Sequence, residues 1–326
     1  MSNFLKSVDD RTGLAGANRL EILLFSLGVD QNSGREEMFG INVFKVREVL
    51  RVPEIVRAPD MPPGVEGMVS LRGVMIPVIN LAHFCDVNVS SKPDALIVTE
   101  YNYNMQGFLV ASVDQIIRME WSAIKEPPAM MAHRHGGLVT AVADLKEDRI
   151  VMILDVEKIL DETTGRTADP HLFEGIEKVD VPARMFFADD SSVARTQIEM
   201  TMDRMGIQHI SAKNGKQAWE MLSKIAAEAE AEGLTVADKL DFILTDVEMP
   251  EMDGYVLTKK IKGDKRFNGV PVIMHSSLSA AANSNIGKSV GADAYVGKFK
   301  PKELADVLVP ILKGKKVSLS ESEESR

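Results

Sequence analysis

Four separated pieces of this chain carry side chains suited to phosphoryl chemistry: Asp189-Asp190, Asp246, Ser276 and Lys298. Three carboxylates brought together repel one another, so they favour either a raised pKa or a bound cation. A hydroxyl and an ammonium add a hydrogen-bond donor and a point charge for phosphoryl oxygens. Each piece ends a short apolar run, at 183–188, 241–245, 270–275 and 294–297. In a parallel α/β sheet the C-terminal strand ends share one edge, and sites form there. The four pieces are therefore expected in one crevice, equipped to hold a divalent metal and receive a phosphoryl group. Singly, each has a plainer role. Asp189 and Asp190 could cap the next helix, Asp246 could form a turn, Ser276 could cap a segment, and Lys298 could be a solvated strand-end charge.

The elements that must position these groups follow from rhythm. From residue 183 onward strands alternate with helical patterns. Val193, Ile198, Met202 and Met205 sit near helical spacing over 191–205; Ala218, Met221, Leu222 and Ile225 do so over 214–232. Further helices are expected at 254–262, 280–290 and 301–312. Five β-then-α units in about 130 residues predict a doubly wound α/β domain with a five-stranded parallel sheet, spanning 183–313. The Ala/Glu run after 226 reads as an extended, solvated helix.

Residues 20–161 have a different pattern. Short β-like runs at 20–27, 38–44, 67–71, 74–79, 95–100, 107–113, 137–143 and 149–154 are joined by tight polar turns. Regular strand spacing of this kind predicts an antiparallel all-β domain. Arg72-Gly73 makes one of the turns, and Pro77 implies an edge or bulge position. Residues 1–19 form an N-terminal extension, 162–182 read as a polar linker with a short docking helix as the alternative for its second half, and 314–326 read as a disordered tail.

Composition bounds the partners. The 326 residues carry a net charge of −10, which argues against nucleic-acid or anionic-membrane binding. A single cysteine, Cys85, excludes a disulfide framework and fits a reducing compartment; in its apolar setting it reads as a small buried hydrophobe. There is no leader-like apolar run at the start and no stretch of membrane-spanning length, so a cytoplasmic protein is expected. His133 and His135 lack further ligands and read as a mobile loop.

The C-terminal pieces resemble response-regulator receiver domains, the CheY-like modules of two-component signalling. The resemblance rests on Ala188-Asp189-Asp190-Ser191, on Leu244-Thr245-Asp246-Val247-Glu248-Met249-Pro250-Glu251-Met252-Asp253-Gly254, on Pro271 to Ser277, and on Gly291 to Lys298. It implies a Mg²⁺ site with Asp190 and Asp246 as direct ligands, Asp189 acting through water, and the backbone carbonyl of Glu248 as a further oxygen. It implies Asp246 as phosphoacceptor, with Lys298 and Ser276 on the phosphoryl oxygens, and a switch through Ser276 and Tyr295. The usual Lys-Pro pair is absent: Phe299 follows Lys298, and Pro301 follows Lys300, which leaves Lys300 as a competitor.

The N-terminal half resembles CheW-like coupling domains, two small β-barrels side by side, most specifically in the run Gly67 to Leu81. That resemblance implies docking to the histidine kinase CheA and to chemoreceptor tips, with other CheW-like proteins as further possible partners. Leu71, Arg72 and Gly73 are the contact candidates, followed by Val43, Val46 and Val49. For Arg72 an internal salt bridge is the alternative. The order of the halves resembles the CheV family. It implies a chemotaxis adaptor, not an enzyme, recruited to receptor arrays and tuned by phosphorylation of Asp246 as adaptation feedback. A phosphate sink that drains the kinase is the alternative.

Overall fold

The structure is a computed structural model describing residues 19–314 apart from 58, 102–103, 133–136, 146–148, 165–169, 181, 277–289 and 299. The histidines at 133 and 135, most of the expected 280–290 helix, the tail and nearly all of the N-terminal extension lie outside the described residues. Two compact units divide the chain, Leu20–Arg166 and the segment from Thr167 onward.

The first unit is all-β, built on two sheets. One takes β1 (Arg19–Val29), β2 (Glu36–Asn42), β8 (Ser112–Glu120), β9 (Ile124–Lys125), β10 (Val139–Leu145) and β11 (Arg149–Leu154), in the order β8-β1-β2-β11-β10-β9. The other takes β3 (Val46–Arg51), β4 (Val65–Leu71), β5 (Val74–Asn80), β6 (Ala95–Tyr101) and β7 (Asn104–Val110), in the order β3-β6-β7-β5-β4. The pairs β1–β2, β9–β10, β10–β11, β3–β6, β6–β7 and β4–β5 are antiparallel, whereas β2–β11 and β5–β7 are parallel. Residues i and i+2 of a strand share a face. On β1, Leu20, Ile22 and Leu24 enter one apolar cluster with Trp121, Ala141 and Val151, while Leu23, Phe25 and Leu27 enter another with Phe39, Ile97 and Phe108. That second cluster draws on both sheets; Val69, Ile76, Val78, Leu96 and Val98 form a third within the five-stranded sheet. Cys85 is fully buried, and burial, with the charge of Glu37 behind it, pushes its thiol up to about 12. That leaves an unreactive packing residue.

Pro77 does not sit on an edge strand, because β5 runs between β4 and β7. Pairing with β7 begins only at Val78, however, so Pro77 faces Met68 of β4 on one side and needs no ladder donor on the other. Strands β3 and β8 depart from the expected pattern. Each lacks clean apolar alternation, and β8 is exposed or half-buried throughout.

In the second unit, β12 (Arg184–Ala188), β13 (Gln208–Ala212), β14 (Phe242–Asp246), β15 (Val272–Ser276) and β16 (Ala294–Gly297) form a parallel sheet ordered β13-β12-β14-β15-β16. With α1 assigned to Val156–Thr164 of the first unit, the helices here are α2 (Ser192–Met205), α3 (Gly215–Ala231), α4 (Gly254–Gly263) and α5 (Pro301–Leu312). One face of the sheet packs Met185, Phe187, Leu244 and Ile273 against Ile198 and Met202 of α2 and Leu304 and Leu308 of α5. The other packs Phe186 and Ile243 against Leu222 of α3 and Leu257 and Ile261 of α4. The Ala/Glu extension of α3 is only half solvated: Ala226 and Ala229 are each 1% exposed, and Ala226 joins this core.

The expected linker is largely structured. Residues 162–164 complete α1, Pro170–Phe173 form a 3-10 turn, and Phe173, Ile176 and Val179 pack down on the second unit. A local reading of 162–182 sees polar residues without periodicity; the three apolar anchors are spaced at three residues and too few to register.

Candidate functional site

The topology places β12, β14, β15 and β16 next to one another in that order, so their C-terminal ends share one edge. Asp246 ends β14, Ser276 ends β15, Asp189 follows β12 and Lys298 follows β16. Carboxylate oxygens of Asp189, Asp190 and Asp246 all lie within 4.8 Å of one another. The Lys298 ammonium donates to Asp189 Oδ1 at 3.1 Å and lies 2.8 Å from Asp246 Oδ2. These groups are buried: Asp189 is 0%, Asp246 2%, Ser276 1% and Lys298 4% exposed. Lys300 points elsewhere, pairing with Glu303 at 2.7 Å on the surface of α5.

The charges do not balance. One ammonium faces three carboxylates, and the two buried ones respond in opposite directions. Burial works to raise both. At Asp189 the charge of Lys298 and the nearby His275 overcome it and hold the carboxyl down at about 2. At Asp246 burial, with the charges of Asp189 and Asp190, outweighs Lys298 and lifts the carboxyl well above its ordinary range. A divalent cation is what this donor set fits: three convergent hard oxygens, excess negative charge, and one edge of the crevice open at half-exposed Asp190. Asp189, Asp190 and Asp246 would hold it.

One prediction follows from the sign of the Asp246 shift. A carboxyl raised in the folded state loses the protein stability as pH rises through that pKa. Asp246→Asn removes this loss. Without metal, the variant is expected to melt roughly 2–4 °C above wild type at pH 7.5. The gain should vanish below pH 3.8 and shrink when Mg²⁺ saturates the wild-type site. A differential scanning series over pH checks this; a lower melting point at neutral pH would refute the imbalance.

Several supporting residues are invisible to motif reading. Arg195, in the first turn of α2, donates to the backbone carbonyls of Asp189 and Asp190, both at 2.9 Å. The helix cap is Ser191, not either aspartate, and Asp189 Oδ1 accepts the Ser191 N–H at 3.0 Å. His275 Nδ1 stands 3.7 Å from Asp189 Oδ2. Thr245 donates its hydroxyl to the Asp246 carbonyl at 2.9 Å. The Lys298 N–H donates to the Ser276 carbonyl at 2.8 Å, tying β16 to β15 at the site. Glu248 lies half-buried two residues beyond Asp246. Tyr295 is half-buried in a small cluster with Val247, Met274, Ala292 and Tyr255. Among the described residues the buried Tyr255 hydroxyl has no hydrogen-bond partner, and burial together with Tyr295 and Glu248 raises it.

In the first unit, Leu71-Arg72-Gly73-Val74 is a two-residue hairpin with positive φ at Arg72 (49°) and Gly73 (83°). Both central residues of such a turn must be left-handed. The Arg72 guanidinium reaches Glu48 of β3 at 2.9 Å, although β3 and β4 are opposite edges of the five-stranded sheet. The pair therefore links those two edges through side chains, while the Arg72 side chain stays 71% exposed. Leu71 is half-buried; Val74 and Met75, beside the turn, are 47% and 52% exposed. The valine candidates need correction. Val43 and Val46 belong to the central core at 4% and 2% exposed, and Val49 packs against it, so the two buried side chains offer a partner no surface.

Among the described residues no helix is long and apolar enough to cross a membrane. Residues 21–164 match the CheW-like domain family and 185–309 match the response regulator receiver domain family. Helicobacter pylori chemotaxis protein CheV3 is 30% identical over 308 residues, covering 90% of this chain and 95% of that protein. Chemotaxis protein CheV1 of the same organism is 24% identical over 331 residues, covering 96% and 99%. The crystal structure of scaffolding protein TtCheW from Thermoanaerobacter tengcongensis is 27% identical, with a TM-score of 0.37, over 42% of this chain and 88% of that one. With a receiver-type acid site at one sheet edge, a CheW-like all-β unit before it and a relative matched along nearly its whole length, the chain belongs to the CheV family of chemotaxis proteins.

Proposed function

We propose that this protein couples chemoreceptors to the histidine kinase CheA through residues 20–166, and that phosphorylation of Asp246 tunes the coupling. The observation supporting this most directly is the Asp189–Asp190–Asp246–Lys298 cluster on the same chain as a CheW-like unit. In the transfer step an Asp246 oxygen attacks phosphorus, the P–N bond to the donor histidine breaks, and the imidazole nitrogen keeps the electron pair and takes a proton from water. Lys298 and the Ser276 hydroxyl hold phosphoryl oxygens. Asp190 and Asp246, with Asp189 through water, would hold a Mg²⁺ ion, which would neutralise charge on the transferred group. Placing a phosphate beside Lys298 and Ser276 draws both inward and shifts the face carrying Tyr295 between two arrangements. On the coupling unit, the hairpin tip at Leu71, Arg72 and Gly73, flanked by exposed Val74 and Met75, is the partner surface.

The test is binding of the full-length protein to receptor–kinase complexes, with and without verified phosphorylation, using Asp246→Ala as control. A tenfold change absent from the variant, about 1.4 kcal/mol of coupling, is the expected result. Unchanged binding together with dephosphorylation fast enough to compete with other receivers would replace this reading with a phosphate sink.

A further inference from the structure

Residues 170–179 are seated on the receiver by specific anchors. Phe173 is 1% exposed, with the Arg204 guanidinium 4.7 Å above its ring. Ile176 and Val179 pack against the core that α2 and α5 share, and the Val179 N–H donates to the Met205 carbonyl at 2.9 Å. Gly175 runs beside Lys302 of α5, where an added Cβ would stand 3.5 Å from that side chain. The same helix begins at Pro301, three residues after Lys298, whose ammonium stands 2.8 Å from Asp246. This helix thus starts three residues beyond an acid-site side chain and shares a core with this segment along its flank.

We propose that residues 170–179 are an output strap, whose seating on α2 and α5 changes with occupancy of Asp246 and passes the signal to residues 20–166. The proposal rests on the reading of Asp246 as phosphoacceptor. A strap held by one aromatic and two aliphatic side chains can open well below the cost of global unfolding. Packed interfaces convert small helix shifts into discrete repacking. The chain offers a direct route for such a shift, because only two residues separate Lys298 from α5.

The experiment is amide hydrogen exchange on the full-length protein with Mg²⁺, with and without beryllofluoride as a mimic of the aspartyl phosphate. Peptides covering 172–180 are expected to change exchange rate at least threefold, alongside the loop 247–254 at the acid site. Phe173→Ala should make the strap exchange fast in both states while the loop still responds; Phe173→Leu and Arg204→Gln, milder changes, should keep part of the difference. A responding loop beside an unresponsive strap overturns the strap and leaves the phosphoacceptor reading standing. No response in either segment overturns the phosphoacceptor reading, and the strap with it.

Discussion

Gly254→Ala is expected to cost the receiver on the order of 3 kcal/mol, lowering its melting point by roughly 6–12 °C, and to weaken Mg²⁺ binding at least tenfold. The cause is a backbone contact. A Cβ at Gly254 would lie 2.0 Å from the Asp246 carbonyl oxygen and 3.1 Å from Val247 Cα. Neither neighbour is the yielding end of a side chain. The Gly254 N–H also donates to the Val247 carbonyl at 2.9 Å, so the loop after Asp246 folds back onto its own start. Met252, two residues before Gly254, is approached just as closely: a Cβ at Gly215 would meet its carbonyl at 2.1 Å. Adding a methyl group must push Asp246 away from Lys298 or tear the loop from β14. Thermal unfolding and a Mg²⁺ titration check both effects. A variant that melts and binds like wild type would show that the loop has slack the contact distances deny.

Lys298→Met should be at least as damaging, and its damage should depend on pH. Removing one member of a buried pair strands the other, typically at about 3–5 kcal/mol. Here two buried carboxylates lose one counter-charge. With Lys298 in place, Asp189 titrates at about 2, below its ordinary 3.8. That stabilisation is full above pH 3.8 and is lost as pH falls towards 2. Without the ammonium both carboxyls rise, and a raised carboxyl loses stability as pH increases through its pKa. Variant and wild type should therefore converge at acid pH and diverge towards pH 8. Urea unfolding at several pH values measures this, and saturating Mg²⁺ should return part of the loss. A difference constant over pH would mean that Lys298 acts by packing alone.

What could be read in advance, and what could not, divides along a physical line. Asp189, Asp246, Ser276 and Lys298 were legible because each is a polar residue closing an apolar run, and strand-end position alone brings such residues to one edge. Arg195, Gly215 and Gly254 act on backbone atoms of segments elsewhere in the fold. Nothing in their own neighbourhoods announces a carbonyl to be held or avoided. Val43 and Val46 were candidates only by position in the resemblance, and nothing in a 3-10 turn running into a strand says which of its side chains turn inward; the packed core around them shows that they are covered. Strand β13, almost wholly exposed or half-buried at a sheet edge, shows why β-propensity is a poor guide where one face is solvent. Phe173 was passed over for the converse reason, as an isolated aromatic in a polar stretch.

The two-faced burial of β1 has a consequence for how the coupling unit comes apart. A strand with solvent on one side can peel away and leave its neighbours' core intact. β1 instead serves as a party wall, with Leu20, Ile22 and Leu24 lining one room and Leu23, Phe25 and Leu27 the other. Neither room stays closed if the wall is withdrawn, so the two must be lost together. A load applied to β1 therefore reaches both rooms at once, and the two yield as a single block.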